Sequence, residues 1–142
     1  MDTSLYIVIP CYNEEKVLPE TIRVMTEKYE SLIQRKMISE KSRVLFVDDG
    51  SFDDTWETIC EAHKKNEIFC GIKLSRNRGH QNALLAGLME AKEFCDAAIS
   101  VDADLQDDID AIDEMVEKFG EGCDIVYGVR NKRSTDRFMK RF

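Results

Sequence analysis

The sequence predicts an α/β protein with a mostly parallel sheet and helices on both faces of that sheet. Short apolar runs rich in β-branched residues alternate along the chain with longer segments whose apolar residues recur every three or four positions. Strands and helices that alternate in this way form βαβ units with right-handed crossovers. The 142 residues, 43% of them hydrophobic and 34% charged, suffice for one globular domain with a substantial core.

The first elements follow directly from these two patterns. Leu5–Pro10 (LYIVIP) is short, apolar and β-branched, as expected of a strand buried on both faces. Lys16–Met37 carries apolar residues at three-to-four spacing and predicts a long amphipathic helix, in whose first turn Pro19 is tolerated. Arg43–Val47 (RVLFV) predicts a second strand by the same criteria as the first.

The rest of the chain continues the alternation. Asp53 or Asp54 can cap a second helix, and Asp107 and Asp108 can supply the N-cap and a first-turn acid of the fourth. The remaining predicted elements are a strand at Ile68–Leu74, a helix at Gln81–Phe94, a strand at Ala98–Val101, a helix at Ile109–Phe119 and a strand at Asp124–Val129.

Charge is distributed unevenly along the chain. The net charge is −8, but residues 128–142 hold six basic residues and one acid, which leaves −13 on residues 1–127. An acidic body disfavours nucleic-acid binding, because phosphate contacts require clustered Lys and Arg. The basic end can instead face phosphates or an anionic membrane surface. We therefore expect one domain at residues 1–130, followed at 131–142 by the start of a basic, membrane-proximal segment of a longer protein.

The cysteines indicate the cellular compartment. There are five, an odd number, and they are scattered without a C-x-x-C pair. This spacing favours reduced thiols in the cytoplasm over a disulfide framework or a zinc site. The pattern leaves the oligomeric state open, with a homo-oligomer among the alternatives.

Polar, functional side chains follow every predicted strand. The segments in question are PCYNEE, VDDGS, LSRNRGHQ, DADLQ and GVR. In an open parallel sheet, ligands bind beyond the carboxyl ends of the strands. Five unrelated surface loops would rarely all have this composition, so we expect these segments to form a single binding site.

Two observations suggest the ligand of this site: the absence of a glycine-rich phosphate-binding loop, and an acidic pair at the end of the fourth strand. No G-x-G-x-x-G or Walker loop is present to hold phosphates through backbone amides. Asp102 and Asp104, two residues apart in an extended stretch, can point the same way and share one cation. Carboxylate oxygens suit Mg²⁺ or Mn²⁺, which leave positions open for the phosphate oxygens of a substrate.

Four motifs together resemble the nucleotide-binding half of family 2 inverting glycosyltransferases. They are IPCYNEE, FVDDGSFDDT, LSRNRGHQNALLAG and DADLQDD, and they span nearly the whole chain in the order typical of that family. The branch with dolichyl- and polyprenyl-phosphate sugar transferases is the most similar. The resemblance implies a GT-A fold and a nucleotide-diphosphate sugar donor, here a UDP-hexose. It also implies a lipid-phosphate acceptor, inversion at the anomeric carbon, and a full-length protein at the cytoplasmic face of a membrane.

The resemblance also assigns roles to individual residues. Pro10, Tyr12, Asn13 and Glu14 would contribute to the nucleoside pocket. Asp48 would accept a hydrogen bond from the base, and Asp49 would brace the loop. The residues on the sugar side would be Arg76, Asn77, Gly79 and His80. The metal on the diphosphate would be held by Asp102, Asp104 and Gln106, with Arg130 as a phosphate contact. His80 departs from the pattern, because a Lys is common at that position.

Other functions remain as alternatives. A receiver-type signalling domain also gathers acids around Mg²⁺, but it should carry its acidic pair after the first strand, where this chain has Asn13 and Glu14. A phosphohydrolase places a nucleophilic D-x-D on its first strand, whereas here the motif follows the fourth. A third alternative is that the chain binds a nucleotide sugar without catalysing transfer, because acceptor-binding residues lie elsewhere.

Overall fold

A computed structural model of the chain describes residues 2–106, 108–130 and 137–141. Within these residues lie ten elements: the nine predicted, in the predicted order, and a sixth strand that was not predicted. The strands are β1 (Leu5–Cys11), β2 (Arg43–Asp48), β3 (Phe69–Lys73), β4 (Ala97–Ser100), β5 (Val126–Arg130) and β6 (Arg137–Arg141). The helices are α1 (Leu18–Gln34), α2 (Thr55–Lys65), α3 (His80–Ala91) and α4 (Ala111–Gly120).

The first four strands form one sheet in the order β3-β2-β1-β4, and every neighbouring pair is parallel. The predicted parallel α/β fold is therefore confirmed. The central strand β1 aligns Cys11 with Asp48 at the end of β2, and Val8 with Ser100 at the end of β4. The carboxyl ends of these strands meet at the same edge of the sheet.

Helices cover both faces of the sheet, as predicted. The larger core layer packs α1, α2 and α4 against strand residues such as Ile7 and Phe46. On the opposite face α3 packs against Val8 and Val47. Helix α4 is also held to α1 by ion pairs, since Asp113 lies 2.9 Å from Lys28 Nζ and 2.7 Å from an Arg35 guanidinium nitrogen.

One prediction about the sheet is wrong. The fifth strand was expected to belong to the same parallel sheet as the other four, but β5 pairs antiparallel with β6 in a separate two-stranded ribbon. Tyr127 in β5 is 51% exposed, and a strand with one solvated face suits an antiparallel ribbon better than a sheet covered on both faces. Residues 137–141 of the predicted basic segment thus form a strand, while 131–136 lie outside the described residues.

No helix in the part of the chain that the structure describes is both long enough and apolar enough to cross a membrane.

Gly87 allows α3 to approach the sheet closely. A Cβ atom at this position would lie 2.5 Å from Val8 Cγ1 and 2.7 Å from Val47 Cγ2. Both valines are fully buried, and their branched side chains are stiff about χ1. They therefore leave no room for a methyl group between the helix and the sheet.

Replacing Gly87 by Ala is expected to destabilise the fold by roughly 1–3 kcal/mol, the usual cost of over-packing a core. The direction of the change in stability is informative, because Gly→Ala at an exposed position inside a helix raises stability by about 1 kcal/mol. Urea unfolding followed by circular dichroism measures the effect. Adding Val8→Ala removes the nearest clashing atom, so the double variant should lose less stability than the two single variants together. A Gly87→Ala variant at least as stable as the wild type would contradict this account of the packing.

Candidate active site

Two loops at the carboxyl edge of the sheet are joined by bonds between side chains and backbone. The N–H of Asn13 donates to Ser51 Oγ (2.8 Å), and the N–H of Phe52 donates to Asn13 Oδ1 (2.9 Å). One residue further on, the N–H of Glu14 donates to Thr55 Oγ1 (2.9 Å). Asn13 has a φ of 51°, a left-handed conformation that Asn adopts more readily than most residues. These bonds hold the segment after β1 rigidly against the segment after β2.

Asp49 ties the β2 end to the loop that precedes α3. Its carboxylate is 3% exposed and accepts the N–H groups of Arg78 (2.7 Å) and Gly79 (3.1 Å). The two segments approach so closely that a Cβ on Gly50 would lie 2.5 Å from the backbone nitrogen of Asn77. Gly50 also has a φ of 75°, which other residues rarely adopt. The carboxylate of Asp49 and the glycine after it therefore position the segment 76–79.

Asp48 lies deeper than the prediction of a base contact implied. Its side chain is fully buried, and Oδ1 accepts the N–H of Ser51 at 3.1 Å. Oδ2 has no hydrogen-bond partner among the described residues. Asp48 does not contribute to the walls of the cavities described below. Its carboxylate therefore stabilises its own turn and leaves one buried acceptor without a donor.

A cavity of about 210 Å³ opens where β1, β2 and the start of α3 meet. Most of the residues predicted to bind substrate line it: Pro10, Tyr12, Glu14, Asp49, Asn77, Gly79 and His80. The ring of Tyr12 is 40% exposed. Three predicted residues do not line this cavity: Asp48 is fully buried, the Asn13 amide oxygen accepts the N–H of Phe52, and Arg76 is exposed.

A second cavity of about 310 Å³ adjoins the first and is lined by Pro10, Glu14, His80, Asp102, Ala103 and Asp104. The two share Pro10, Glu14 and His80 as a common wall. His80 begins α3 and places Nε2 at 3.9 Å from Asp102 Oδ1. The predicted nucleoside and metal residues are therefore brought together in two adjoining spaces, with a histidine between them.

The acidic turn that follows β4 comprises residues 102–106. The N–H of Leu105 donates to the Asp102 carbonyl (3.1 Å), and the N–H of Gln106 donates to Asp104 Oδ1 (3.2 Å). Within the described ranges, no group of three His, Cys, Asp or Glu side chains is arranged to hold a metal ion. The carboxylates of Asp102 and Asp104 both line the larger cavity, while Gln106 does not. Two carboxylates nevertheless fit Mg²⁺ or Mn²⁺, because Mg²⁺ is usually bound by one or two carboxylates together with substrate phosphates.

Two predicted residues fall outside what the structure describes. Asp107, predicted as a helix cap, lies outside the described residues, and so does the side chain of Arg130 at the end of β5.

The cap of the second helix is only partly as predicted. Asp54 makes no side-chain cap bond, whereas Asp53 Oδ1 accepts the N–H of Thr55 at 3.0 Å.

Glu14, at the shared wall, is repelled by neighbouring carboxylates. Partial burial raises the pKa of Glu14 above its ordinary value of 4.5, and the negative charges of Asp104 and Asp53 raise it further. Burial likewise raises the pKa of the Cys11 thiol, with Glu14 and Asp48 adding to the effect, which disfavours a thiolate nucleophile at this position. A divalent cation would relieve the repulsion between the acids.

Three residues that support the site through hydrogen bonds were not predicted from the sequence. Ser51 and Thr55 bond the segment after β1, and Thr21 on α1 reaches the acidic turn. The position of Ser51 and Thr55 directly after a strand end was a usable signal. Nothing in the pattern distinguished Thr21 from other polar residues of an amphipathic helix.

The fold and the two adjoining cavities define an α/β, Rossmann-like domain of the GT-A class. Among solved structures, mannosyltransferase PcManGT from Pyrobaculum calidifontis, in complex with GDP-Man and Mn²⁺, superposes with a TM-score of 0.72 at 20% identity, covering 94% of this chain and 37% of that one. S. aureus TarS 1-349 superposes with a TM-score of 0.60 at 19% identity, covering 83% of this chain and 32% of that one.

The chain belongs to glycosyl transferase family 2, whose model matches residues 6–141. YkoT of Bacillus subtilis (strain 168), an uncharacterized glycosyltransferase, is 54% identical over 137 residues, covering 96% of this chain and 41% of YkoT. YkcC of the same organism, also an uncharacterized glycosyltransferase, is 40% identical over 135 residues, covering 95% of this chain and 39% of YkcC. The chain thus spans well under half of these relatives. Family membership excludes the receiver-type and phosphohydrolase alternatives.

Replacing Glu14 by Gln is expected to raise stability at neutral pH. The folded pKa of Glu14 exceeds the ordinary value of 4.5, so between those two values the native state binds more protons than the unfolded state. Stability then falls as the pH rises through that interval. The Gln side chain does not titrate, so the variant does not lose stability in this interval. The variant and the wild type should therefore differ by the same free energy of unfolding at all pH values below about 4.5, and the variant should gain on the wild type up to a plateau above the folded pKa.

Urea unfolding in metal-free buffer at about pH 4 and about pH 7 measures this difference. Glu30→Gln, at an exposed position of α1, is the matched control and should change stability equally at both pH values. A Glu14→Gln variant that is less stable than the wild type at neutral pH would show that attraction, and not repulsion, dominates around Glu14.

Proposed function

We propose that the chain binds the nucleotide-sugar donor of a glycosyltransferase that transfers a hexose from UDP to a polyprenyl phosphate, with inversion and with help from a divalent cation. The observation that carries this proposal is the pair of adjoining cavities. One has an aromatic side chain and polar groups suited to a nucleoside, and the other has the two carboxylates of the acidic turn. A nucleoside diphosphate consists of a nucleoside joined to a diphosphate, which would match the two adjoining cavities in that order.

The nucleoside would occupy the smaller cavity, with its base against the half-exposed ring of Tyr12. Stacking on an aromatic ring is favourable for any base, so hydrogen bonds must supply the choice between bases. The unpartnered Asp48 Oδ2 supports such a role, because a buried acceptor without a donor is rare in folded proteins. An N–H of a base that reached this atom would satisfy it. Uracil and guanine present a ring N–H, whereas cytosine presents a ring acceptor at the equivalent position.

The diphosphate would occupy the larger cavity. Asp102, Asp104 and Gln106 would hold Mg²⁺ or Mn²⁺ against it, and Arg130 would add a phosphate contact. When bound, the cation stabilises negative charge on the departing nucleoside diphosphate, an electrostatic contribution of several kcal/mol in many enzymes. His80, at the shared wall, would border the sugar and the first phosphate. PcManGT supports the class of ligand, since that structure contains a nucleotide sugar and Mn²⁺. The preference for uridine rests on the family resemblance alone.

The acceptor would be anionic. A phosphate monoester is largely ionised near neutral pH, with a second pKa of about 6, so a polyprenyl phosphate needs no strong general base to act as the nucleophile. An acceptor that needs no general base suits a site whose carboxylates would bind a cation or accept backbone N–H groups. The basic residues between Gly128 and Phe142 would attract a lipid phosphate or an anionic membrane surface at the cytoplasmic face. Acceptor binding and transfer are proposed for the longer protein, of which this chain supplies the donor site.

Calorimetric titration of UDP, GDP and CDP, each with and without Mn²⁺, tests the proposal. UDP is expected to bind most tightly and only weakly without the cation. Asp104→Asn should weaken metal-dependent binding by about 10- to 100-fold, corresponding to the roughly 1.5–3 kcal/mol of a bond to a charged group. Asp108→Asn is the matched control, because its amide oxygen can still accept the N–H of Asp110. Failure of all three nucleotides to bind in the presence of Mn²⁺ would refute the proposed function.

Asp48→Asn separates base recognition from structural support. The amide oxygen can replace Oδ1 as acceptor for the N–H of Ser51, and the amide NH₂ then occupies the place of the unpartnered Oδ2. Stability without ligand should therefore change little, while UDP affinity falls by roughly tenfold or more as one charged acceptor is lost. Thermal unfolding and calorimetry on the same variant provide both values. Unchanged UDP affinity in a folded variant would show that Asp48 does not take part in base recognition.

A further inference from the structure

Thr21 connects the interior of α1 to the acidic turn. Its side chain is fully buried, and Oγ1 donates to the backbone carbonyl of Ala103 at 2.5 Å. Ala103 stands between Asp102 and Asp104 and is itself only 4% exposed. A buried Thr in a helix interior commonly returns its hydroxyl to the carbonyl four residues earlier, and here that carbonyl, on Val17, is the more distant acceptor at 3.3 Å.

The carbonyl that Thr21 contacts determines the geometry of the turn. The bond from the Leu105 N–H to the Asp102 carbonyl makes 102–105 a β-turn, whose central peptide joins Ala103 to Asp104. Rotation of that central peptide interconverts type I and type II turns and changes φ of the third residue from about −90° to about +80°. The third residue is Asp104. Asp104 is not among the described non-glycine residues with positive φ, so the central peptide has the orientation that the Thr21 hydroxyl favours.

Loss of this hydroxyl has a definite structural consequence. The Ala103 carbonyl would lie buried without its donor, and a buried acceptor that loses its partner is unfavourable. Flipping the central peptide would relieve that cost. The flip would move Asp104 into the left-handed region and turn its carboxylate away from that of Asp102.

We propose that Thr21 is a positioning residue of the acidic turn: its hydroxyl holds the central peptide so that the carboxylates of Asp102 and Asp104 face one cation. This inference rests on the proposed function, because it assigns Thr21 the task of orienting the cation's ligands. Thr21 itself lines neither cavity and would act only through the turn.

The test is a comparison of four proteins: wild type, Thr21→Val, Thr21→Ser and Thr26→Val. Val keeps the shape of Thr and removes only the hydroxyl, while Ser keeps the hydroxyl. Thr26 is the matched control, because it lies on the same helix and its hydroxyl donates to the Ile22 carbonyl within α1 (2.8 Å). Electron paramagnetic resonance of free Mn²⁺ gives the Kd for the cation in the presence of whichever of UDP, GDP and CDP binds the wild type best. Calorimetry gives the affinity of that nucleotide without metal.

Thr21→Val is expected to weaken Mn²⁺ binding by roughly 10- to 100-fold, the range found when the partner that orients a metal ligand is removed. Its metal-free nucleotide affinity should equal that of the wild type, and Thr21→Ser and Thr26→Val should retain wild-type Mn²⁺ affinity. General loosening of the fold would instead lower nucleotide affinity with and without the cation alike, and that result would overturn the proposal.

A folded Thr21→Val variant with wild-type Mn²⁺ affinity would also overturn the proposal and leave the proposed function intact. Absence of Mn²⁺-dependent nucleotide binding in the wild type would refute the proposed function itself, and this inference with it. If Thr21→Val does not fold, Thr21→Cys takes its place, since a thiol is only a weak donor. Its Mn²⁺ affinity should then fall below that of Thr21→Ser, and equal affinities would overturn the proposal.

Discussion

Parallel pairing of β1 with β2 and β4 is the constraint on which the site depends. Because the three strands run the same way, the segments that follow them leave the sheet at one edge before the chain enters the next helix. Polar residues far apart in sequence, such as Tyr12, Asp49 and Asp102, are thereby brought to the same place. An antiparallel arrangement of the same strands would have sent half of these segments to the opposite edge.

Most of the polar side chains at this edge bond the backbone. Ser51 and Thr55 accept N–H groups of the segment after β1, and Asp49 accepts two from the segment before α3. Backbone groups that leave a sheet without entering a helix need such partners when water is excluded. The acids that lie close together at this edge repel one another, since the negative charges of Asp104 and Asp53 raise the pKa of Glu14.

Features of the fold and of the site could be predicted from the sequence where they depend on residues close together in the chain. The four strands of the parallel sheet and the four helices were predicted because apolar periodicity reports directly on which faces are covered. The β5–β6 ribbon was not, because an apolar run such as DIVYGV looks the same whether one or both faces are covered. Of the predicted site residues, Tyr12 and Asp104 line the two cavities, whereas Asn13 and Arg76 line neither. Sequence does not reveal whether a loop side chain faces a cavity or bonds the backbone nearby.

The common wall of Pro10, Glu14 and His80 links the occupants of the two cavities thermodynamically. Whatever factor the cation adds to the affinity for a donor, the donor must add to the affinity for the cation. In the proposed function the ion would have two carboxylates as its main protein ligands and would be held loosely on its own, so that arrival of a diphosphate would load it. Ion occupancy would then follow donor supply, and departure of the spent nucleotide would release both together.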